Sequence, residues 1–246
     1  MNLENYRLVF EDHFDAPQLD LTKWDYRKQG PQRKGFSGPS QVRVENSNLI
    51  IRNEYREGEF GTGWYGGTAA LREKYLRGYF EVRAICNDPR LTGAWSAFWL
   101  QAPHPYDPAL SKGGPGSAEI DIMEAQGDLK ENPGIRSTIH VMGMKNPPAK
   151  KNPPPVSDIS TENPGAIPVS IPTCYTDYHT YGLEWTEEVY RFYVDGECYW
   201  ETSWGDGVSE VYEEVILDIC LPDFICEDTS RTGEFIVDYL RIYQKV

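Results

Sequence analysis

"GSAEIDIMEAQGD" (residues 116–128) places Glu119, Asp121 and Glu124 within six residues, with Ile120, Ile122 and Met123 between them. A strand turns successive side chains to opposite faces. Strict alternation sets Glu119 and Asp121 on one face and throws Glu124 onto the other, among the apolar residues. One extra residue resolves the conflict. If Met123 is the insertion of a β-bulge, Glu124 returns to the face of Glu119 and Asp121. Three carboxylates along one face repel one another and destabilise a strand. The same arrangement suits acetal hydrolysis, which needs one carboxylate as nucleophile and a second carboxyl that donates its proton to the leaving oxygen. A third acid close by raises the proton affinity of its neighbours and separates those roles. Four effective steps of ~3.3 Å leave the two Glu backbones roughly 13 Å apart, so spacing alone does not choose between retention and inversion. A solvated acidic strand is the plainer alternative.

The neighbouring runs alternate in the same way. In "GAWSAFWLQ", Trp95, Ala97 and Trp99 share one face while Ser96, Phe98 and Leu100 share the other. Phe98 and Leu100 suit a core. Trp95 and Trp99 then either line an open face as platforms for sugar rings or fill the core themselves. "STIHVMG" sets Thr138, His140 and Met142 on one face, where His140 can hydrogen-bond a carboxyl or a sugar hydroxyl. Further short alternating runs recur ("QVRVENSNLIIRNE", "RGYFEVRAIC", "YHTYGLEW", "EVILDICL", "EFIVDYLRIYQ"), divided by turn signals at 46–48 and at Asp195-Gly196. Asp-Gly between "YRFYV" and "ECYWE" is a strong hairpin signal. Many short strands with Gly- and Pro-rich connections predict an all-β sandwich in one domain over residues 1–246. The Pro-rich stretch from Gly143 to Cys174 breaks the pattern, as a surface excursion or as a wall of a cleft. Lys28 to Pro39 is basic and Gly-rich, the best candidate for a local positive patch.

Composition narrows the function classes. The 246 residues carry 38 acidic against 24 basic side chains, a net charge of −14, which argues against nucleic-acid and anionic-lipid surfaces. A neutral substrate, or one held by a small basic patch, fits better. Aromatic residues reach 13%, a supply of flat rings for core or sugar contact. No apolar run approaches the ~20 residues of a membrane helix. The first fifteen residues lack the charged start and hydrophobic block of a signal peptide. Five cysteines (Cys86, Cys174, Cys198, Cys220, Cys226) form no C-x-x-C pair, so zinc is not expected and at least one thiol is free. Whether Cys220 pairs with Cys226 stays open.

Taken together, "LVFEDHFD", "LDLTKWDY", "YLRGYFEVRA", "GAWSAFWL", "EIDIMEA", "STIHV", "YHTYGLEWTEEVYRFYVDG" and "FIVDYLRIYQ" resemble, in the same order, glycoside hydrolase family 16. The likeness runs from about Leu8 to Tyr243. It implies a β-jelly roll of two curved antiparallel sheets with a concave cleft, and internal cleavage of β-linked polysaccharides with retention. It implies Glu119 as nucleophile, Glu124 as acid/base and Asp121 between them, in the bulged form that laminarinases share. A β-1,3-glucan is the expected substrate, with galactose-containing chains as the alternative and a non-catalytic sugar-binding jelly roll as a reading of another class. The resemblance also places Arg72 toward the cleft. It requires no cofactor, though many members hold a structural calcium, for which Asp238 suits one position and His13 replaces a common glutamate. A monomer acting on an oligosaccharide or polysaccharide is expected, secreted or at the cell surface, with a cytoplasmic location as the alternative.

Overall fold

The computed structural model describes residues 1–102, 117–126, 133–142, 166–203, 208–223 and 226–246. The strands in chain order begin β1 (Tyr6–Asp12), β2 (Trp24–Tyr26), β3 (Gly30–Gln32), β4 (Gly35–Ser37), β5 (Val42–Glu45) and β6 (Asn48–Gly58). They continue with β7 (Gly61–Gly66), β8 (Thr68–Tyr75), β9 (Gly78–Ile85), β10 (Trp95–Gln101), β11 (Ser117–Glu124) and β12 (Gly134–Met142). The last six are β13 (Ala166–Ser170), β14 (His179–Trp185), β15 (Tyr190–Val194), β16 (Glu197–Thr202), β17 (Glu213–Cys220) and β18 (Thr232–Lys245). Among the described residues the only helix longer than a single 3₁₀ turn is α1 (Pro89–Thr92), far too short to cross a membrane.

These strands make a jelly-roll sandwich. One sheet of eleven strands runs β16-β15-β14-β9-β18-β6-β7-β4-β3, with β1 joining β18 and β5 joining β6. The other, of seven, runs β13-β12-β11-β10-β17-β8-β2. Alternation decides which side chains meet between them. Phe98, Leu100, Ile120, Ile139 and Leu217 from the smaller sheet share one core with Phe80, Val82, Leu183, Leu240 and Ile242 from the larger. Each such side chain contributes about 1.5–3 kcal/mol on burial. Among the described residues, every alternating run picked out in the sequence overlaps a strand. Two tight hairpins follow from turn chemistry: Asp195 and Gly196 both take positive φ between β15 and β16, as do Asn46 and Ser47 between β5 and β6.

The Pro-rich stretch is not connection throughout. Residues 143–165 lie outside those described, but Ala166–Ser170 is a strand paired with β12, from Gly134↔Ser170 to Thr138↔Ala166. Its Pro168 is tolerated because β13 is the edge of the sheet, where a missing N–H costs least.

Candidate active site

The site begins with the register of β11. Against β10, Phe98 faces Met123 and Trp99 faces Asp121, so Ile122 has no opposite number. Against β12, Asp121 faces Thr138 and Glu124 faces Arg136, three residues spanning two. The extra residue expected at Met123 is there, and Ile122 shares it. Both side chains are driven into the core, at 1% and 0% exposure. Two successive apolar side chains thus point inward, and Glu124 returns to the outer face. Glu119, Asp121 and Glu124 line one cavity of about 320 Å³ together with Trp95, Trp99 and Asp218.

Each acid has a different set of partners. Glu119 accepts a short hydrogen bond from the Gln101 amide, whose carbonyl in turn accepts from Arg27 Nη2 at 2.5 Å. Asp121 is buried, with His140 Nε2 at 3.2 Å from its Oδ2 and 3.9 Å from Glu119 Oε1. Glu124 accepts from Trp95 Nε1 at 3.0 Å and from Gln126 Nε2 at 2.7 Å, and Arg136 Nη1 holds Gln126 from behind at 3.0 Å.

Burial raises the proton affinity of Glu124, and the Glu119 charge adds to it against the opposing Gln126 and Trp95 bonds and His140. Burial and the Glu124 charge likewise raise Asp121 well above the usual carboxylate range. Burial works against a charged His140, but its bond to Asp121 and the surrounding carboxylates prevail and push it up to about 9. At neutral pH His140 therefore keeps its proton, beside two carboxyls of raised proton affinity. On β17, burial raises Asp218 to about 7 and Glu213 to about 8.

The structure brings Glu119, Asp121, Glu124, His140, Trp95 and Trp99 together. The tryptophans face outward as the alternation requires, with Ala97 and Trp99 in a separate cluster with Ala70 and Ile216. They are not open platforms, however. Arg27 sits over Trp99 at 5.0 Å from the ring centroid, Lys28 at 5.9 Å, and Arg33 sits over Trp95 at 5.1 Å. Trp99 is only 9% exposed.

Arg72 does not line the cavity. Its Nε donates to the carbonyls of Leu21 and Trp24, and Nη1 pairs with Asp25, because β8 is flanked by short β2 at the sheet edge. Arg27 and Arg33 line the cavity instead. Gln101 and Gln126 were also missed, although each lies two positions beyond a residue already placed on the open face.

Asp238 pairs with Arg83 Nη1 at 2.6 Å, and Arg241 Nη2 lies 3.4 Å from His13, so guanidinium groups stand where a calcium ion would need oxygen ligands. Among the described residues, Glu119, Asp121 and His140 form a group whose ligand atoms lie within 4.8 Å of one another, close enough to hold a cation. Cys220 and Cys226 are both free thiols, with the Cys220 sulfur 3.5 Å from Asp218 Oδ2.

Residues 31–221 match the model for glycosyl hydrolases family 16. The chain belongs to that family. It is 28% identical over 269 residues to a β-glucanase of Rhodothermus marinus, covering 98% of this chain and 86% of the relative. It is 28% identical over 199 residues to a keratan-sulfate endo-1,4-β-galactosidase of Sphingobacterium multivorum, covering 78% of this chain and 42% of that protein. Other curated relatives are longer still, and the chain spans 28% and 29% of two of them. Among solved structures, SCLam, a non-specific endo-β-1,3(4)-glucanase, superposes with a TM-score of 0.71 at 25% identity, covering 99% of this chain and 92% of that one. The two-sheet jelly roll is that of family 16, and the chain is a glycoside hydrolase of the family, acting on β-linked glycans.

Proposed function

We propose that the chain is a single catalytic domain that cuts β-linked glycans internally with retention, Glu119 acting as nucleophile and Glu124 as acid/base. The Ile122–Met123 bulge is the observation that supports this most directly, because it returns Glu124 to the face of Glu119. Glu124, with its raised proton affinity, protonates the glycosidic oxygen as the bond to the anomeric carbon breaks. Glu119 closes on that carbon from the opposite side to give a glycosyl-enzyme. Ionised Glu124 then takes a proton from water, which displaces Glu119 and leaves the original configuration. The Gln101 amide orients Glu119. Asp121 and His140 hold charge beside it without meeting the leaving group.

A β-1,3-glucan is the first substrate reading, supported by the identity to the β-glucanase and to SCLam. A galactose-containing glycan is the second, supported by the identity to the keratan-sulfate endo-1,4-β-galactosidase. Incubation with laminarin, lichenan and galactans, following the anomeric protons by NMR, tests the reading. The first-formed reducing ends should be β. Early appearance of the α anomer, or unchanged turnover by Glu119→Gln, would remove Glu119 as nucleophile.

A further inference from the structure

In a chain of net charge −14, residues 26–44 contain no acid, and "RKQGPQRK" (27–34) contributes four cations. The fold carries this segment to the mouth of the cleft. It ends in the β3–β4 hairpin, tied down by parallel pairing of β4 with β7 from Gly35↔Trp64 to Ser37↔Gly66. Lys28 and Arg33 both adopt the left-handed backbone conformation, at φ of 51° and 50°. Arg33 takes it in the turn between β3 and β4, and Lys28 just before β3. Lys28 lies over Trp99 and Arg33 over Trp95, beside the tryptophan that donates to Glu124.

The three cleft cations are not equivalent. Arg27 is only 15% exposed and is committed to Gln101 and to Glu214 at 3.1 Å. It is part of the scaffold. Lys28 is exposed and, among the described residues, makes no ion pair. Arg33 pairs with Asp223 at 3.0 Å, but that carboxylate is 79% exposed, so the pair is screened and readily exchanged for another anion. Two cations lie over two indole faces, one ring away from the acid that protonates the leaving group. They leave a neutral sugar little ring to stack on, and they offer charge-assisted hydrogen bonds to an anion.

We infer that Lys28 and Arg33 form an anion-recognising subsite, so that the enzyme selects β-linked glycans bearing sulfate-ester or carboxylate substituents next to the scissile bond. This rests on the glycosidase reading above and names the substrate class of the same cleft. Arg33, planar and able to bind two oxygens at once, meets the substituent. Lys28 supplies a second, mobile charge.

The test compares each glycan with its modified forms on one backbone. Laminarin and a neutral β-linked galactan are used unmodified, lightly sulfated and lightly carboxylated, and kcat/KM is measured on whichever backbone is cut. On that backbone an anionic form should exceed the neutral one by about tenfold or more, mainly through KM. Raising salt from about 50 to about 500 mM should erase most of the advantage, since screened exposed charges carry it. The sulfated and carboxylated arms show which anion is preferred. In Lys28→Asn/Arg33→Asn, where Asn suits the left-handed backbone, the ratio should fall toward one. Lys28→Arg should retain it. Neutral chains cut as well as or better than both anionic forms would overturn the inference while leaving the glycosidase intact. So would a ratio unchanged in the double variant. If no form of either backbone is cut, the glycosidase reading fails first, and this inference falls with it.

Discussion

Glu124 and Glu184 are the same residue type, each set on a strand with its side chain away from the core, on opposite sheets, and their chemistry diverges. Burial raises the proton affinity of both. At Glu184 it is overcome by hydrogen bonds from Tyr6 Oη at 2.7 Å, Arg191 Nη1 at 3.0 Å and Tyr193 Oη at 3.2 Å, and the carboxyl is lowered. At Glu124 the direct donors are neutral, Trp95 and Gln126, while Glu119 adds negative charge, and the carboxyl is raised. Arg136 is kept one side chain away, on Gln126. A guanidinium in contact makes a structural anion. Neutral donors within a group of acids make a proton carrier. Elsewhere on the larger sheet Asp238 likewise has a guanidinium in contact, Arg83 Nη1 at 2.6 Å.

The sharpest way to break this contrast is to exchange two neighbours, Met123→Glu with Glu124→Met. The carboxyl then takes the inward position at 123, which is fully buried, so activity should fall below detection. Melting temperature should drop as well, because an unpaired carboxyl would enter apolar surroundings. More than about 1% residual activity would mean that the bulge does not place the acid. Glu124→Gln keeps the shape and removes the proton. We expect kcat/KM on an unactivated glycan to fall about 10³–10⁴-fold, with the melting temperature unchanged or higher because one of several like charges has gone. A third substitution, Trp95→Phe, removes a donor that favours the Glu124 carboxylate. Glu124 should then hold its proton to higher pH, and the basic limb of kcat/KM should move upward in pH, with kcat lower by about tenfold, the cost of one hydrogen bond to a charged group. A limb that moves to lower pH would show that Trp95 does not donate to the acid.

Much of this site was legible in the sequence because period-two alternation is a local signal. The failure of "EIDIMEA" to alternate announced the bulge, and the faces of Trp95, Phe98 and Trp99 followed from counting. What alternation cannot supply is contact between segments distant in the chain. Arg27 lies over Trp99, 72 positions away, and only the pairing of β2 with β8 and β8 with β17 brings it there. Arg72, placed toward the cleft by resemblance alone, departs for the same reason: the carbonyls of Leu21 and Trp24 hold its guanidinium. Residues 166–170 were read as loop because Pro168 and the Pro-rich run before it masked an edge strand.

The smallest effect belongs to the structural partner of the comparison. Glu184→Gln keeps the shape and an acceptor oxygen but removes the charge facing Arg191, which retains Glu201. We expect a loss of about 1–2 kcal/mol in urea unfolding at pH 7, and unchanged kcat/KM, since Glu184 lies on the sheet opposite the cleft. The sign with pH is fixed by direction. A carboxyl lowered in the folded state contributes stability above its unfolded pKa of about 4.3, and that contribution disappears as pH falls through the folded value. Wild type and Glu184→Gln should therefore converge in stability as the solution is acidified. The opposite behaviour, a difference that widens in acid, would mean that Glu184 holds its proton as Glu124 does, and that contact with arginine is not what separates the two glutamates.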